Sequence, residues 1–263
     1  MIETKDFLDN CPYKEEMRKL IETSNLALKN WEIYWSDFYS YYIYSNIIQK
    51  FNQLSDIEYF IYGGYESCDR AKIAFYRNSI KPDEEELKIK FPGEGIDISG
   101  NFLFENASQS DFRNLLQEIG IKKENIGDIW TLGDRGAQGV ISNSENIFIN
   151  NKNYSLRDVE VHIKIINLKE LKTPIKRIEK YINTVEASTR LDAIASAGFR
   201  LSRSKISNRI KNGLLSLNGC KTTKPTLALK KGDKLQLENK GFIEILEIEK
   251  TKRDRWKIKL LRK

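Results

Sequence analysis

Histidine is almost absent from this chain of 263 residues, in which His162 is the only one. A single histidine excludes metal sites that need several imidazoles, and it excludes any nucleophilic arrangement that needs a second histidine. His162 lies in the alternating run from Val159 to Ile165. This pattern predicts a strand with His162 on its polar face.

Cysteine is also scarce, with only Cys11, Cys68 and Cys220. The number is odd and the three are far apart, so neither a zinc site nor a secreted disulfide framework is indicated. The sequence also has no Walker loop and no glycine motif for a dinucleotide. We therefore expect buried or idle thiols, no metal and no cofactor.

Long apolar runs are missing as well. The most apolar early run, Tyr41 to Ile48, is interrupted by Ser45 and Asn46, whereas a membrane-spanning helix needs about 20 apolar residues. The first 30 residues carry several acids, which argues against a secretory signal or a transit peptide. We expect a cytoplasmic monomer without a membrane span.

Positive charge is abundant, but it is unevenly distributed. The net charge is +7, yet residues 186–263 contain 20 Lys and Arg against 8 Asp and Glu, a net of +12. Residues 1–185 therefore carry a net charge of −5. Such a division indicates that the C-terminal part faces a polyanion.

The patterning predicts an α+β protein with an N-terminal helical region (1–56), a central α+β domain (57–167), a Lys-rich linker (168–184) and a basic C-terminal domain (185–263). Ser108 or Ser110 can cap a helix that Gly120 ends. The predicted strands of the first two thirds are Ile57–Tyr62, Ala71–Tyr76, Leu87–Phe91, Ile96–Phe104, Asp128–Leu132, Gln138–Ser142 and Val159–Ile166.

The N-terminal region is rich in aromatic residues and lacks Gly and Pro between residues 25 and 54. Exposed rings could stack on bases, but aromatic residues at helical spacing more often form a core, and we favour that interpretation. The residues concerned are Trp31, Tyr34, Trp35, Phe38, Tyr39, Tyr41, Tyr42 and Tyr44.

The basic domain is predicted to begin with two capped helices. Ser188 or Thr189 can cap the first helix, with Gly198 at its end, and Ser202 can cap the second. In the second helix Ile206 and Ile210 share an inward face, while Lys205 and Arg209 project outward beside Asn208 and Asn212. Asn218-Gly219 then predicts a hairpin turn, which is followed by further strands.

These residues closely resemble the S4-type RNA-binding domain, also called the alpha-L motif. The matching residues are Arg190-Leu191-Asp192, Gly198-Phe199, Ser202-Arg203-Ser204-Lys205, Ile210, Gly213, Asn218-Gly219, Lys224-Pro225 and Lys231-Gly232-Asp233. In that family the second helix and the adjoining loops lie against the phosphates of folded RNA. The resemblance, together with the position of neighbouring polar residues, implies RNA contacts at Arg190, Arg200, Ser202, Arg203, Lys205, Arg209, Lys211, Asn212 and Lys224. Outside this domain, Arg70 and Arg135 are candidates for a secondary RNA contact.

Asp192 allows a second interpretation, because Arg-Leu-Asp is also the catalytic signature of many pseudouridine synthases. In those enzymes the motif belongs to a separate domain, which follows the RNA-binding domain. Here it starts the RNA-binding domain itself. We therefore favour a first-turn acid that is stabilised by the positive end of the helix.

The upstream sequence resembles YlmH-like proteins. The resemblance lies in Ile61-Tyr62-Gly63-Gly64-Tyr65, Asp69-Arg70, Asp111-Phe112-Arg113 and the segment from Gly120 to Ile129. The segments Asp134 to Gln138 and Val185 to Lys205 are similar to the cyanobacterial and plastid subgroup labelled photosystem II S4 domain protein. The family implies an RRM-like central domain and a role on the large ribosomal subunit, with rRNA and tRNA as partners.

Our leading hypothesis is therefore a non-enzymatic protein that binds structured RNA in ribosome-associated quality control or translation-linked assembly. An RNA-modifying enzyme and a photosystem-related factor for mRNA binding or assembly are the alternatives. The loops Gly63-Gly64 and Gly133 to Gly136 could approach a phosphate, but such glycines more often only shape turns.

Overall fold

The computed structural model describes residues 7–8, 11, 13–143, 153–174, 179–237 and 240–262. The chain forms two compact units, Met1–Lys176 and Arg177–Lys263. Both contain helices and antiparallel sheets, so the α+β class is confirmed.

The first sheet is built around β4 (Arg70–Arg77), which pairs with β3 (Ile57–Tyr62) along one edge. Along its other edge it pairs with the two short strands β1 (Tyr34–Trp35) and β2 (Tyr39–Ser40). The helices of this region are α1 (Lys14–Asn30) and α2 (Tyr41–Ile47), followed by a 3₁₀ turn over Ile48–Gln53. Met17, Leu20 and Ile21 of α1 share a buried core with Ile73 and Phe75 of β4.

This arrangement differs from the predicted boundary between residues 56 and 57. Strands β3 and β4 share the core of α1, so they belong with the N-terminal segment rather than with the central sheet. The predicted helical region 1–56 also contains β1 and β2. Its residues 1–6, 9–10 and 12 lie outside the described residues.

The aromatic residues of the N-terminal region mostly form core, as predicted. Phe38, Tyr39 and Tyr44 are buried, and Tyr34, Trp35 and Tyr41 are partly buried. Trp31 is the exception at 60% exposure, with the Arg77 guanidinium 4.1 Å from its ring centre.

The second sheet has the order β6-β7-β5-β9-β8, and all neighbouring strands are antiparallel. Its strands are β5 (Gly93–Gly100), β6 (Ile126–Thr131), β7 (Gly136–Ser142), β8 (Tyr154–Leu156) and β9 (Val159–Ile166). Helix α4 (Gln109–Glu118) covers one face with Phe112, Leu115 and Leu116. Ser108 caps it in a capping box with Asp111, which confirms one of the two predicted caps. His162 is exposed on β9, as expected for a polar-face residue.

Residues Leu87–Phe91 do not form the predicted strand. They lie largely in helix α3 (Glu84–Ile89), whose first turn is capped by the Asp83 carboxylate, which accepts from the Glu86 N–H at 2.6 Å. The acids of the first turn favour a helix start. Ion pairs from Lys88 to Glu84 and from Lys90 to Glu86 join successive turns, and these local effects outweigh the alternating pattern.

The predicted linker 168–184 is also shorter than expected. Leu168–Glu170 is a 3₁₀ turn and Leu171 is buried. Lys180–Glu186 is strand β10, which pairs along its whole length with β15 (Trp256–Arg262). Residues 175–178 lie outside the described part.

The second unit places two helices on a six-stranded sheet of order β10-β15-β14-β13-β11-β12. The helices are α5 (Leu191–Phe199) and α6 (Arg203–Lys211), and the remaining strands are β11 (Leu215–Leu217), β12 (Cys220–Lys221), β13 (Lys234–Leu237), β14 (Gly241–Lys250) and β15 (Trp256–Arg262). Gly198 does not end α5 as predicted but lies inside it, where a side chain would meet Ile243. The left-handed residue that ends the helix is Arg200 (φ 55°).

Candidate nucleic-acid interface

The start of α5 is fixed by a loop from further along the chain. The Leu191 N–H donates to the Leu227 carbonyl (2.8 Å), and the Asp192 N–H donates to the Pro225 carbonyl (3.0 Å). These bonds satisfy two of the amide groups that a helix start leaves without partners inside the helix. They also hold the loop that carries Lys224 beside the first turn of α5. The N-cap residue is Arg190, not Ser188 or Thr189 as predicted, and no side chain caps the helix.

Asp192 organises the cationic residues of this end. Its side chain is only 6% exposed, and it accepts from Arg190 Nε (3.1 Å) and Nη2 (3.0 Å) and from Arg203 Nη2 (3.2 Å). Burial raises the pKa of the carboxyl, but the hydrogen bonds and charges of the two arginines outweigh this effect and lower it. Asp192 is therefore ionised at neutral pH and ties the first turn of α5 to that of α6.

The two arginines remain accessible in this arrangement. Their side chains are 42% exposed for Arg190 and 53% exposed for Arg203. A guanidinium that is held on one edge still has donors on its other edge, since it carries five N–H groups. Two cationic groups are thus fixed by one buried carboxylate.

Helix α6 presents the other predicted residues as its sequence suggests. Ser202 caps it by accepting from the Lys205 N–H (3.3 Å), and Ile206 and Ile210 are fully buried. Of the predicted contacts, Arg209 is partly buried, and the exposed ones are Arg200, Ser202, Arg203, Lys205, Lys211, Asn212 and Lys224. These residues and Arg190 lie at both ends of α5, along α6 and in the loop that carries Lys224. We call them the α5–α6 surface.

A hairpin turn closes the sheet beside these helices. Asn218 (φ 51°) and Gly219 (φ 78°) both have positive φ, as predicted for this dipeptide. The Asn218 amide donates to Asp233 Oδ1 (2.8 Å), and its oxygen accepts from the Lys234 N–H (2.9 Å). Asn218 and Asp233, which belong to the S4-type resemblance, thus use these side-chain groups in hydrogen bonds within the fold and not with a ligand.

The two secondary candidates lie in the first unit, and their environments differ. Arg70 donates to the carbonyls of Ile126 (2.8 Å), Phe38 (2.9 Å) and Lys123 (3.3 Å). Burial lowers its pKa to about 10. Its guanidinium is therefore used in joining the two sheets. Arg135 is exposed in the 3₁₀ turn Gly133–Arg135.

The glycines of this unit shape turns. A side chain at Gly63 would meet the Arg70 carbonyl oxygen at 2.3 Å, and one at Gly136 would meet the Ile98 carbonyl oxygen at 2.0 Å. Gly133 (φ 69°) has open space around it. The backbone at Gly63 and Gly136 thus approaches protein, not a ligand.

A buried polar cluster lies next to the Gly63-Gly64 turn. Asp128 Oδ2 accepts from the Tyr65 hydroxyl (2.8 Å) and from the Asp69 N–H (2.6 Å). Burial raises the pKa of Asp128 despite these bonds, and burial also raises the pKa of the Cys68 thiol to about 12. The cluster joins the β3–β4 loop to β6 of the second sheet.

The face of the second sheet opposite α4 is covered by protein. Phe38, Phe91 and Leu171 pack there against Trp130 and Val140 of β6 and β7. The Trp130 indole N–H donates to the Lys172 carbonyl (2.9 Å), and the Lys172 N–H donates to Gln138 Oε1 (2.8 Å). Over β6 and β7 this face offers no open platform on which bases could stack.

Among the described residues, no three His, Cys, Asp or Glu side chains are placed to hold a metal ion. The three cysteines form no disulfide; Cys11 is buried and Cys220 is exposed. Within the same ranges no helix is long and apolar enough to cross a membrane.

Comparison with known proteins finds a family model that matches the N-terminal part of the chain. The family model described as YlmH, N-terminal, matches residues 13–80, which span α1 to β4. Over this segment the chain is similar to YlmH proteins.

A particular relative covers more of the chain. The ribosome-associated protein quality control protein P2 of Bacillus subtilis (strain 168) is 26% identical over 197 residues, which are 74% of either chain. The structure of the cell division protein ylmH from Streptococcus pneumoniae aligns with a TM-score of 0.47 at 16% identity, over 65% of this chain and 94% of that one.

Proposed function

We propose that this protein binds structured RNA through the α5–α6 surface, without catalysing a reaction. The Arg190–Asp192–Arg203 network is the observation that carries the proposal. A buried carboxylate that fixes two half-exposed guanidinium groups is suited to phosphates, which arginine binds with two parallel hydrogen bonds. The exposed Lys205 and Lys211 extend this surface along α6.

The second unit is proposed to be an S4-type domain and the second sheet an RRM-like domain. Two helices on an antiparallel sheet, with Ser202 as the cap of the second helix, support the first assignment. A sheet with β5 at its centre and α4 on one face supports the second. Because Phe38 and Phe91 cover its other face, we assign the RNA contacts to the second unit.

The proposed target is rRNA, with tRNA as a further ligand, on the large ribosomal subunit. Support for this comes from the Bacillus subtilis relative, which is named a ribosome-associated protein quality control protein. Residues 186–263, which carry the net charge of +12, would bind by releasing counterions from RNA, so binding should depend steeply on salt.

Cosedimentation with purified large ribosomal subunits at several salt concentrations tests the proposal. Replacing Lys205 and Arg209 with glutamate should reduce the slope of log K against log salt by about 1.8 if both contact duplex RNA. Lys14→Glu with Lys29→Glu is the matched control, since both residues are exposed on α1. An unchanged slope for the Lys205 and Arg209 variant would refute the proposal.

The alternatives of RNA modification and of photosystem mRNA binding have separate tests. Mass spectrometry of rRNA and tRNA with and without the protein detects a modification. Crosslinking followed by RNA sequencing separates rRNA from mRNA targets. Asp192, the acid of the Arg-Leu-Asp motif, binds two arginines with both its oxygens, which favours a structural role for it.

A further inference from the structure

The turn between β14 and β15 is a second concentration of positive charge, outside the α5–α6 surface. Residues 250–257 contain five Lys or Arg against one acid, Asp254. Lys252, Arg253, Arg255 and Lys257 are all exposed. We call residues 250–257 the basic hairpin tip.

The basic hairpin tip has a defined backbone. The Thr251 N–H donates to the Arg255 carbonyl (2.7 Å), and the Asp254 N–H donates back to the Thr251 carbonyl (3.1 Å). The Thr251 hydroxyl accepts from the Arg255 N–H (3.2 Å). Asp254 has a φ of 58° and pairs with Lys250 at 2.7 Å. The only acid of the tip is thus used at its base, and the cations project from a closed turn.

The strand register brings this tip to the end of the sheet at which α5 begins. Glu186, the last residue of β10, pairs with Trp256, and Trp256 pairs with Lys250. Only three residues separate Glu186 from Arg190, so four steps of the chain span about 14 Å at most. With a Cα separation of about 5 Å between paired strands, Arg190 lies within about 20 Å of Trp256. One segment of double helix, with phosphates every few ångströms along its axis, can cover that distance.

The composition of the tip favours phosphates of RNA over a lipid surface. A loop that inserts into a membrane exposes aromatic or aliphatic side chains beside its cations. Here residues 250–255 contain no apolar side chain, and Trp256 is half-buried against the core of the unit.

We propose that the basic hairpin tip is a second phosphate-binding site that contacts the same RNA as the α5–α6 surface. The inference rests on the proposed function and extends it, since it makes the RNA contact bipartite. A bipartite contact spans two places on one folded RNA, so it favours a helix of some length over a short loop.

The test replaces Lys252, Arg253 and Arg255 with glutamine in the full chain. Binding of a fluorescein-labelled RNA stem–loop is measured by anisotropy over a range of salt. Each lost contact with a phosphate of duplex RNA should reduce the slope of log K against log salt concentration by about 0.9, which corresponds to about eightfold weaker binding at 0.1 M salt. Lys14→Gln with Arg18→Gln and Lys29→Gln on α1 removes the same charge elsewhere and should leave the slope unchanged. Exchanging Lys and Arg at the three tip positions should preserve binding.

Three results would overturn the inference. One is an unchanged slope in the tip variant, and another is an equal loss in the α1 control. The third is a tip variant that keeps its affinity for RNA but no longer binds vesicles made of equal parts of phosphatidylcholine and phosphatidylserine. If Lys205→Glu with Arg209→Glu abolishes RNA binding while the tip variant binds normally, only the bipartite contact fails. If neither variant changes binding, the proposed function fails as well.

Discussion

Replacing Asp192 with asparagine distinguishes two explanations of RNA binding at the α5–α6 surface, because they predict opposite changes in affinity. If the surface were only a collection of charges, removing a negative charge would strengthen RNA binding. At about 7 Å from a phosphate in water the gain is about 0.6 kcal/mol, or nearly threefold. If Asp192 positions Arg190 and Arg203, its loss should weaken binding instead.

The size of the weakening follows from the number of side chains released. Asp192 holds two arginines through three hydrogen bonds. Ordering one long side chain upon binding costs about 0.5–1.5 kcal/mol. Two released arginines therefore cost about 1–3 kcal/mol, and the electrostatic gain offsets part of this cost. We expect RNA binding that is about 2- to 60-fold weaker.

The assay is anisotropy with the labelled stem–loop, performed well below the melting temperature of the variant. Because Asp192 also joins α5 to α6, we expect a loss of about 1–3 kcal/mol in unfolding free energy, discounted for the exposure of both arginines. Circular dichroism then confirms that the variant is folded. Glu249→Gln, which removes an exposed acid on β14, is the control for charge alone. A variant that is folded and binds RNA more tightly than the wild type would refute the positioning role.

Two further predictions concern the first unit. In the folded state, burial raises the pKa of Asp128 above its ordinary value of 3.8. At a pH between 3.8 and the raised pKa, the folded protein therefore keeps a proton on Asp128 that the unfolded protein has released. The free energy of unfolding should therefore fall as pH rises through that window. Asp128→Asn should make the melting temperature less dependent on pH, and equal pH profiles for the variant and the wild type would contradict this. Gly136→Ala should destabilise the unit by about 1–3 kcal/mol or more, because its φ is 118° and the Ile98 carbonyl oxygen would lie 2.0 Å from the new atom. Gly133→Ala (φ 69°), with open space around it, should cost less in urea titrations, and equal costs would disprove the steric argument.

The helices of the α5–α6 surface could be predicted because their signals are local. Ser202 caps α6 three residues before the Lys205 N–H, and Ile206 and Ile210 lie one turn apart on its buried face. Asn218-Gly219 sets its own turn geometry. Each of these patterns operates within a few residues, so one sequence is enough to recognise it.

The elements that the sequence did not reveal depend on distant partners. Strands β1 and β2 lie in a segment without Gly or Pro and form because β4 pairs with them. Strand β10 has the polar residues of a linker and is ordered by β15, whose paired residues lie 70 to 82 positions later. The role of Asp192 likewise requires Arg203 from the next helix, although the Arg190-Leu191-Asp192 spacing could have suggested half of the network.

The pairing of β10 with β15 has a consequence for synthesis. The strand that enters the second unit is completed by the last strand that the structure describes, residue against residue from Lys180–Arg262 to Glu186–Trp256. Until translation has passed residue 262, β10 lacks its neighbour, and the sheet beneath α5 and α6 is open on that side. A truncated product therefore carries the cationic helices without the support that holds them in place. The proposed binding of RNA therefore requires that the chain has been synthesised through Arg262.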